Sequence, residues 1–224
     1  MARRDRGATL QGRIVAYIHE HQLEPGAALP TEPQLMDLLG ASRNSVREAI
    51  RALQALGIVE IRHGFGTFVG DASLDVLTPS LAFRIRSRIN HNVGALRDLV
   101  QVRELLEVGL IGEVAGTLSP ARLAALDALV DRMAVDPGAD KAFHTLLYET
   151  SGNDLVLQLI GLFWDVYRDV EPTIDPPKVA PGDIAANHRR IVEVLRTGDA
   201  TAAQQAMQRH FAELQVRLAA ATAS

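Results

Sequence analysis

The sequence predicts a mainly α protein in two parts: an N-terminal winged helix-turn-helix with a small β-hairpin over residues 1–70, and a C-terminal all-α bundle of six to seven helices over residues 80–224. Three observations predict it. The first part holds short helical patterns and then a Gly-rich, β-branched and aromatic stretch. The second is nearly all amphipathic helix with caps and breakers. Between them GDASLDVLTP, punctuated by Gly, Asp and Pro, places a linker at 71–79.

In the first part, Leu10, Ile14, Tyr17 and Ile18 recur at helical spacing until Pro25-Gly26 stops them. Thr31 and Gln34 form a T-x-x-Q capping box for a second helix, with Pro33 in its first turn, Leu35, Leu38 and Leu39 facing inward and Gly40 at its end. After a three-residue turn, Ser42 caps a third helix. Its apolar residues Val46, Ile50, Leu53 and Leu56 fall within an arc of about 120°. Gly57 closes it, and IVEIR (58–62), HGFG (63–66) and TFV (67–69) read as a hairpin with a Gly-rich tip. Downstream, helices are expected near 80–91, 93–118, 119–134, 139–151, 153–170, 183–197 and 199–221, with Ser119-Pro120, Gly152-Asn153 and Gly198-Asp199 as breaks and caps and a loop from Pro172 to Pro181.

Composition narrows the function. The 224 residues are 47% apolar and contain no Cys, which excludes a disulfide framework, thiol catalysis and Cys-ligated zinc. No stretch approaches the roughly 18 apolar residues of a membrane span, and the Arg-rich start lacks the apolar run of a signal peptide, so no membrane partner is expected and the cytoplasm is the default. The net charge of −4 argues weakly against nucleic acid. It is unevenly placed: residues 1–70 carry net +1 and residues 71–224 net −5.

Two short helices joined by a tight turn form the arrangement that sets an α-helix in the major groove. On the third helix Arg43, Asn44, Arg47 and Arg51 span about 100° beside the apolar face. Arg near the start of such a helix reaches guanine O6 and N7, while Ser42 and Ser45 reach phosphate oxygens. A solvated Arg stripe is the plain alternative. The hairpin tip, with His63 and Gly64, favours the winged arrangement, because a small backbone and an imidazole can enter a minor groove.

The stretch 29–69 resembles the signature of the GntR family of bacterial transcription regulators, through Leu29-Pro30-Thr31-Glu32, Leu39-Gly40, Ser42-Arg43, Val46-Arg47-Glu48-Ala49, Leu56-Gly57-Ile58, Gly64 and Gly66-Thr67-Phe68-Val69. The resemblance implies a double-stranded DNA operator, bound as a homodimer, with base or phosphate contacts from Arg43, Asn44, Ser45 and Arg47 and minor-groove contact from His63 and Gly64. Family members often carry Arg where this chain has Pro33, so a contact from that position is lost here.

In the second part Asp140 and His144 stand i, i+4 on one helix face, and His188 and His210 each have apolar neighbours at helical spacing on later helices. Three imidazoles and a carboxylate suit a divalent transition ion. Periodicity leaves open whether they meet at a cation or sit apart in the core. This region resembles the FCD ligand-binding domain of FadR-type GntR regulators, through LVQVRELLE (99–107), DKAFH (140–144), HRRIVEVL (188–195) and Gly198-Asp199 through His210-Phe211. The resemblance implies a metal, Zn, Ni or Mn, on Asp140, His144, His188 and His210. It also sets Arg103, which by spacing alone makes an intrahelical pair with Glu107, near a cavity for a small organic or sugar acid. Tyr148, Trp164 and Tyr167 either line that cavity or are core aromatics, and the core reading is preferred. The expected function is a ligand-responsive repressor. The alternative is a hydrolase or oxygenase using the Asp/His site, which lacks HExxH, a nucleophile elbow or an evident general base.

Overall fold

A computed structural model describes residues 9–89, 94–175, 181–220 and 222–223. The chain forms two compact units, Met1–Val76 and Leu77–Ser224.

The first unit holds α1 (Leu10–Glu20), α2 (Glu32–Leu39), α3 (Arg43–Ala55), β1 (Val59–Arg62) and β2 (Gly66–Val69). Local chemistry sets each boundary. Gln34 Oε1 accepts from the Thr31 backbone N–H at 2.8 Å, Pro33 sits in the first turn of α2, and Gly40 ends it at φ +58°. Ser42 Oγ accepts from Ser45 N at 3.2 Å and starts α3. Ile14, Leu35, Val46, Leu53 and Val59 fill the core between the three helices and the hairpin. Leu38 and Leu56, expected inside, are 55% and 56% exposed. Leu35 and Leu39 already occupy the buried face of the two-turn α2, and Leu38 lies about 100° from Leu39; Leu56 is the C-cap of α3 and has left its helical arc.

The hairpin pairs Val59 with Val69 and Arg62 with Gly66, and residues 26–29 add backbone bonds to β2, including Leu29 N to Thr67 O at 2.8 Å. At its foot a Cβ on Gly70 would lie 2.1 Å from the Gly57 carbonyl oxygen, with nothing flexible to give way. Gly70→Ala is therefore expected to cost the first unit about 3 kcal/mol, the upper end of overpacking costs. Chemical denaturation of the full chain checks this, since the loss should fall in the transition of that unit.

Among its described residues the second unit is helical apart from one two-residue ladder: α4 (Thr78–Ile89), α5 (Gly94–Val114), α6 (Pro120–Arg132), α7 (Ala139–Tyr148), α8 (Asp154–Val170), α9 (Pro181–Leu195) and α10 (Ala200–Ala219). Ser119, Asn153 and Asp199 cap α6, α8 and α10 by accepting the N–H three residues on. α5 packs against α10 and α8, α4 against α8, and α6 against α7 and α9. Phe143, Tyr148, Phe211, Ile111 and Ile191 are among the fully buried side chains at the centre.

Several boundaries differ from expectation. Within the proposed linker, Leu74–Leu77 forms a 3-10 turn and α4 starts at Thr78. α5 ends at Val114, because Gly116 takes φ +81°. α7 tightens into a 3-10 turn at Glu149–Ser151 before Gly152 at φ +67°. Ile174–Asp175 pairs with Thr222–Ala223 in a ladder too short to leave a sequence pattern. His91, at the expected end of α4, and residues 176–180 of the expected loop lie outside the described residues.

Candidate nucleic-acid surface and cation-binding cavity

In the first unit Arg43 and Asn44 are exposed at the start of α3. There the free N–H groups and partial positive charge of the helix terminus add to the Arg charge. Ser42 and Ser45 are joined through their hydroxyls at 2.9 Å, with Ser42 serving as the cap. Arg47 is tied down: its Nε–H donates to both oxygens of Glu32 at 2.9 Å and links α3 to α2. This pairing joins residues 15 apart and left no signal in the sequence. Arg47, Arg51 and His63 line one groove between α3 and the hairpin, so recognition helix and wing share a surface. Gly64 and Gly66, at φ +81° and +121°, turn the tip and hold Phe65 84% exposed.

The second unit brings His144, His188 and His210 together, with ligand atoms of all three within 4.8 Å of one another. Asp140 Oδ1 lies 3.0 Å from His188 Nε2 and 3.4 Å from His144 Nε2. α7 supplies Asp140 and His144 one turn apart, and α9 and α10 supply the other two rings. The three rings thus gather at one point, and Asp140 lies against two of them.

Hydrogen bonds on the far side of two rings fix what they present. His188 Nδ1–H donates to the Ile184 carbonyl at 2.8 Å, so in the neutral ring Nε2 is an acceptor. It faces the Asp140 carboxylate at 3.0 Å, acceptor against acceptor. His144 Nδ1–H donates to Glu107 Oε2 at 2.5 Å, turning its Nε2 toward His188 Nε2 at 3.4 Å. Lone pairs set this close require a positive charge between them, a proton or a metal ion. The donor set of nitrogen and carboxylate oxygen suits Zn, Ni or Mn. The residues present therefore fit the expected metal.

Electrostatics support the same picture. Burial pushes the Glu107 carboxyl up, but Arg103 and His144 outweigh it and bring it down to about 2. Glu107 is thus an anion that holds the His144 tautomer, a role common behind metal-ligating histidines. Burial disfavours the charged His144 ring, yet Glu107 and Asp140 raise its pKa overall. Burial, then the neighbouring His188 and His144, hold His210 well below the usual histidine value and keep it neutral. Burial also opposes ionisation of Asp140, but His144 and His188, where they carry a proton on the facing nitrogen, hold it well below the carboxylate range.

Arg103 is 5% exposed. Its Nε–H donates to Glu107 Oε1 at 2.5 Å, and its guanidinium lies 4.3 Å from the Trp164 ring centre and 5.3 Å from that of Phe211. The intrahelical pair read from spacing is present, and so is the cavity. Arg103, Asp140, His188 and His210 border one cavity of about 300 Å3, and Arg103 Nη2 has no hydrogen-bond acceptor. Trp164 and Tyr167, taken as core aromatics, line this cavity as well. Tyr148 does belong to the core, fully buried with its hydroxyl donating to the Glu107 carbonyl at 3.0 Å. Glu107, seen in the sequence as a partner of Arg103 alone, also grips His144, 37 residues away.

Known proteins match both units. Residues 7–69 match the family described as "Bacterial regulatory proteins, gntR family", and residues 98–213 match the FCD domain. The chain is 27% identical to the HTH-type transcriptional regulator LutR of Bacillus subtilis over 210 residues, 88% of this chain and 94% of LutR. It is 32% identical over 205 residues to the HTH-type transcriptional regulator Mce2R of Mycobacterium tuberculosis, 84% of this chain and 80% of Mce2R. A solved structure of a Streptococcus agalactiae GntR protein superposes with a TM-score of 0.64 at 29% identity, covering 94% of this chain and 98% of that one. These families and relatives are transcriptional regulators, so the hydrolase or oxygenase reading has no support. Among the described residues no helix is long and apolar enough to cross a membrane. The chain belongs to the GntR family and carries an FCD domain: it is a DNA-binding transcriptional regulator.

Proposed function

We propose that this regulator is a repressor that binds a palindromic operator as a homodimer, and that a small carboxylate or sugar acid, held with a divalent transition metal, sets its affinity for DNA. Ser42, Arg43, Asn44, Ser45, Arg47, His63 and Gly64 are the proposed DNA contacts. Asp140, His144, His188 and His210 hold the metal, and Arg103 takes the acid. Two α3 helices about one DNA turn apart, roughly 34 Å, are what a dimer presents to a palindrome. Exposed Phe83 on α4 and Val102 and Leu105 on α5 favour a second copy as partner of this unit.

One observation carries the effector reading. Acceptor atoms of Asp140 and His188 face each other across 3.0 Å on the wall of a cavity whose border also holds the unpaired Arg103 Nη2. A bound metal supplies a Lewis-acidic docking point for a carboxylate oxygen. Arg103 Nη2 then donates to the other carboxylate oxygen from a planar group already held by Glu107 and Trp164. Such an acid alters DNA binding to the extent that the two dimer states bind it differently.

The reading makes two measurable demands. Selection of bound fragments from the source genome should enrich a palindrome, and Arg43→Ala should lose about 1–3 kcal/mol on it with little loss on random duplex. Failure to enrich any palindrome would overturn the operator reading. Isothermal titration of metal-loaded protein with a panel of carboxylic acids should show binding that Arg103→Ala removes; unchanged affinity in the variant would remove Arg103 from the site.

A further inference from the structure

Phe65 stands at the tip of the wing and is 84% exposed, and no large apolar side chain among the described residues is more so. A lone apolar residue on a surface is ordinary. Three features set this one apart. Gly64 and Gly66 on either side of it take φ +81° and +121°, and a Cβ on either would meet nothing within 4 Å, so the ring projects from a strip of bare backbone. The stem beneath it is fixed: Phe65 N–H donates to the Arg62 carbonyl at 2.9 Å, the Arg62 guanidinium lies 4.4 Å from the Phe68 ring centre, and residues 26–29 bond to β2. His63, two residues before it, shares a groove with Arg47 and Arg51 of α3, so the ring adjoins the surface proposed to face DNA.

The chemistry of the ring narrows what it meets. A minor groove about 6 Å wide admits a glycine strip and a flat ring, where bulkier flanks would jam against the walls. His63 and the Gly64 backbone offer polar groups to base edges, but a phenyl ring carries no donor or acceptor. It gains no hydrogen bond from phosphate oxygens or from base edges. The broad apolar faces in a duplex are those of the stacked bases, and a side chain reaches them where one base step opens. A ring on a stiff stem is suited to that entry, because little freedom is lost on insertion.

Building on the DNA contacts of the wing given above, we propose that Phe65 is a wedge: it enters the minor groove between two adjacent base pairs, partly unstacks that step and bends the duplex toward the major groove. Pyrimidine–purine steps, TA and CA/TG, open most easily, so the wing selects such a step with no hydrogen bond to it. Phe65 thus adds a sequence preference that His63 and Gly64 do not supply.

The probe is the duplex that genomic selection enriches most strongly, with 2-aminopurine replacing single adenines along it. Binding of the full-length protein should brighten one such base, at a pyrimidine–purine step, and bring dyes on the two duplex ends closer together. Phe65→Ala, at a site exposed enough to leave the fold intact, should abolish both signals and weaken binding about tenfold. The salt dependence should keep its slope, because the ring neutralises no phosphate. Phe65→Leu, an apolar wedge of another shape, should recover part of each signal. An equal fluorescence rise in Phe65→Ala and wild type, or no rise in either, overturns the wedge; a loss of affinity in His63→Ala would then leave the wing's contact with DNA standing. If neither variant weakens binding, the wing reading falls as well. A changed oligomeric state of Phe65→Ala with unaltered DNA affinity also overturns the wedge and assigns the ring to a protein contact. If selection enriches no fragment, the operator reading and the wedge fall together.

Discussion

Glu107→Leu should destabilise the FCD unit by about 3–5 kcal/mol, the cost of removing one partner from a buried ion pair. Arg103 is 5% exposed and Glu107 is fully buried, so the substitution leaves a guanidinium with aromatic faces and no anion beside it. It also frees His144 Nδ1, whose bond to Glu107 is 2.5 Å long. The double variant Arg103→Met with Glu107→Leu should recover most of the loss, because an apolar pair of similar volume is tolerated where a lone charge is not. Urea unfolding of metal-free protein measures both. A cost below about 1 kcal/mol for Glu107→Leu would mean that water reaches Arg103 and that the pair is not closed. Glu107→Gln keeps the shape and weakens the hold on His144, and metal affinity should fall about 10- to 100-fold.

The second large effect concerns the ion itself. With free metal at about 1,000 times its dissociation constant, the folded chain should gain about 4 kcal/mol, and a chelator should remove that gain. Asp140 Oδ1 and His188 Nε2 lie 3.0 Å apart, close enough for one cation to bridge them. His188→Ala removes one of four expected ligands. Apparent binding energies of about 10–16 kcal/mol for four-ligand zinc sites imply a loss on the order of 100- to 1,000-fold in affinity per ligand. Thermal unfolding with and without chelator should therefore show a large shift for the wild-type protein and about a third of it or less for His188→Ala. Equal shifts in the two would place the stabilising ion elsewhere.

What the sequence revealed and what it hid divide along chain distance. Caps and stops are local chemistry, and Thr31 with Gln34, Gly40 and Ser42 mark in the sequence itself the helices proposed to read DNA. Asp140 and His144 were legible as a pair because one helical turn puts them on one face. The arrival of His188 and His210 at the same point was not legible from periodicity, since it depends on how α9 and α10 pack beside α7; the family resemblance supplied it. Arg47 shows the opposite case. Its place on α3 was read correctly, but Glu32 on another helix holds its Nε, which no spacing rule reveals. The Glu107 carboxylate has two oxygens, and the sequence exposed only the one facing Arg103, four residues back; the other reaches across to α7. For Trp164 and Tyr167 the sequence leaves cavity and core both open and favours the core, because aromatic residues on an amphipathic helix usually pack there. They do pack, and their polar ends border the cavity.

The central claim is that Asp140, His144, His188 and His210 form one cation site. Metal content after equilibrium dialysis against Ni or Zn tests it most directly. One ion per chain in the wild-type protein, and none in the His144→Ala and His188→Ala variants that remain folded, is the expected result. A wild-type chain that retains no ion, or variants that retain as much as the wild type, would contradict it.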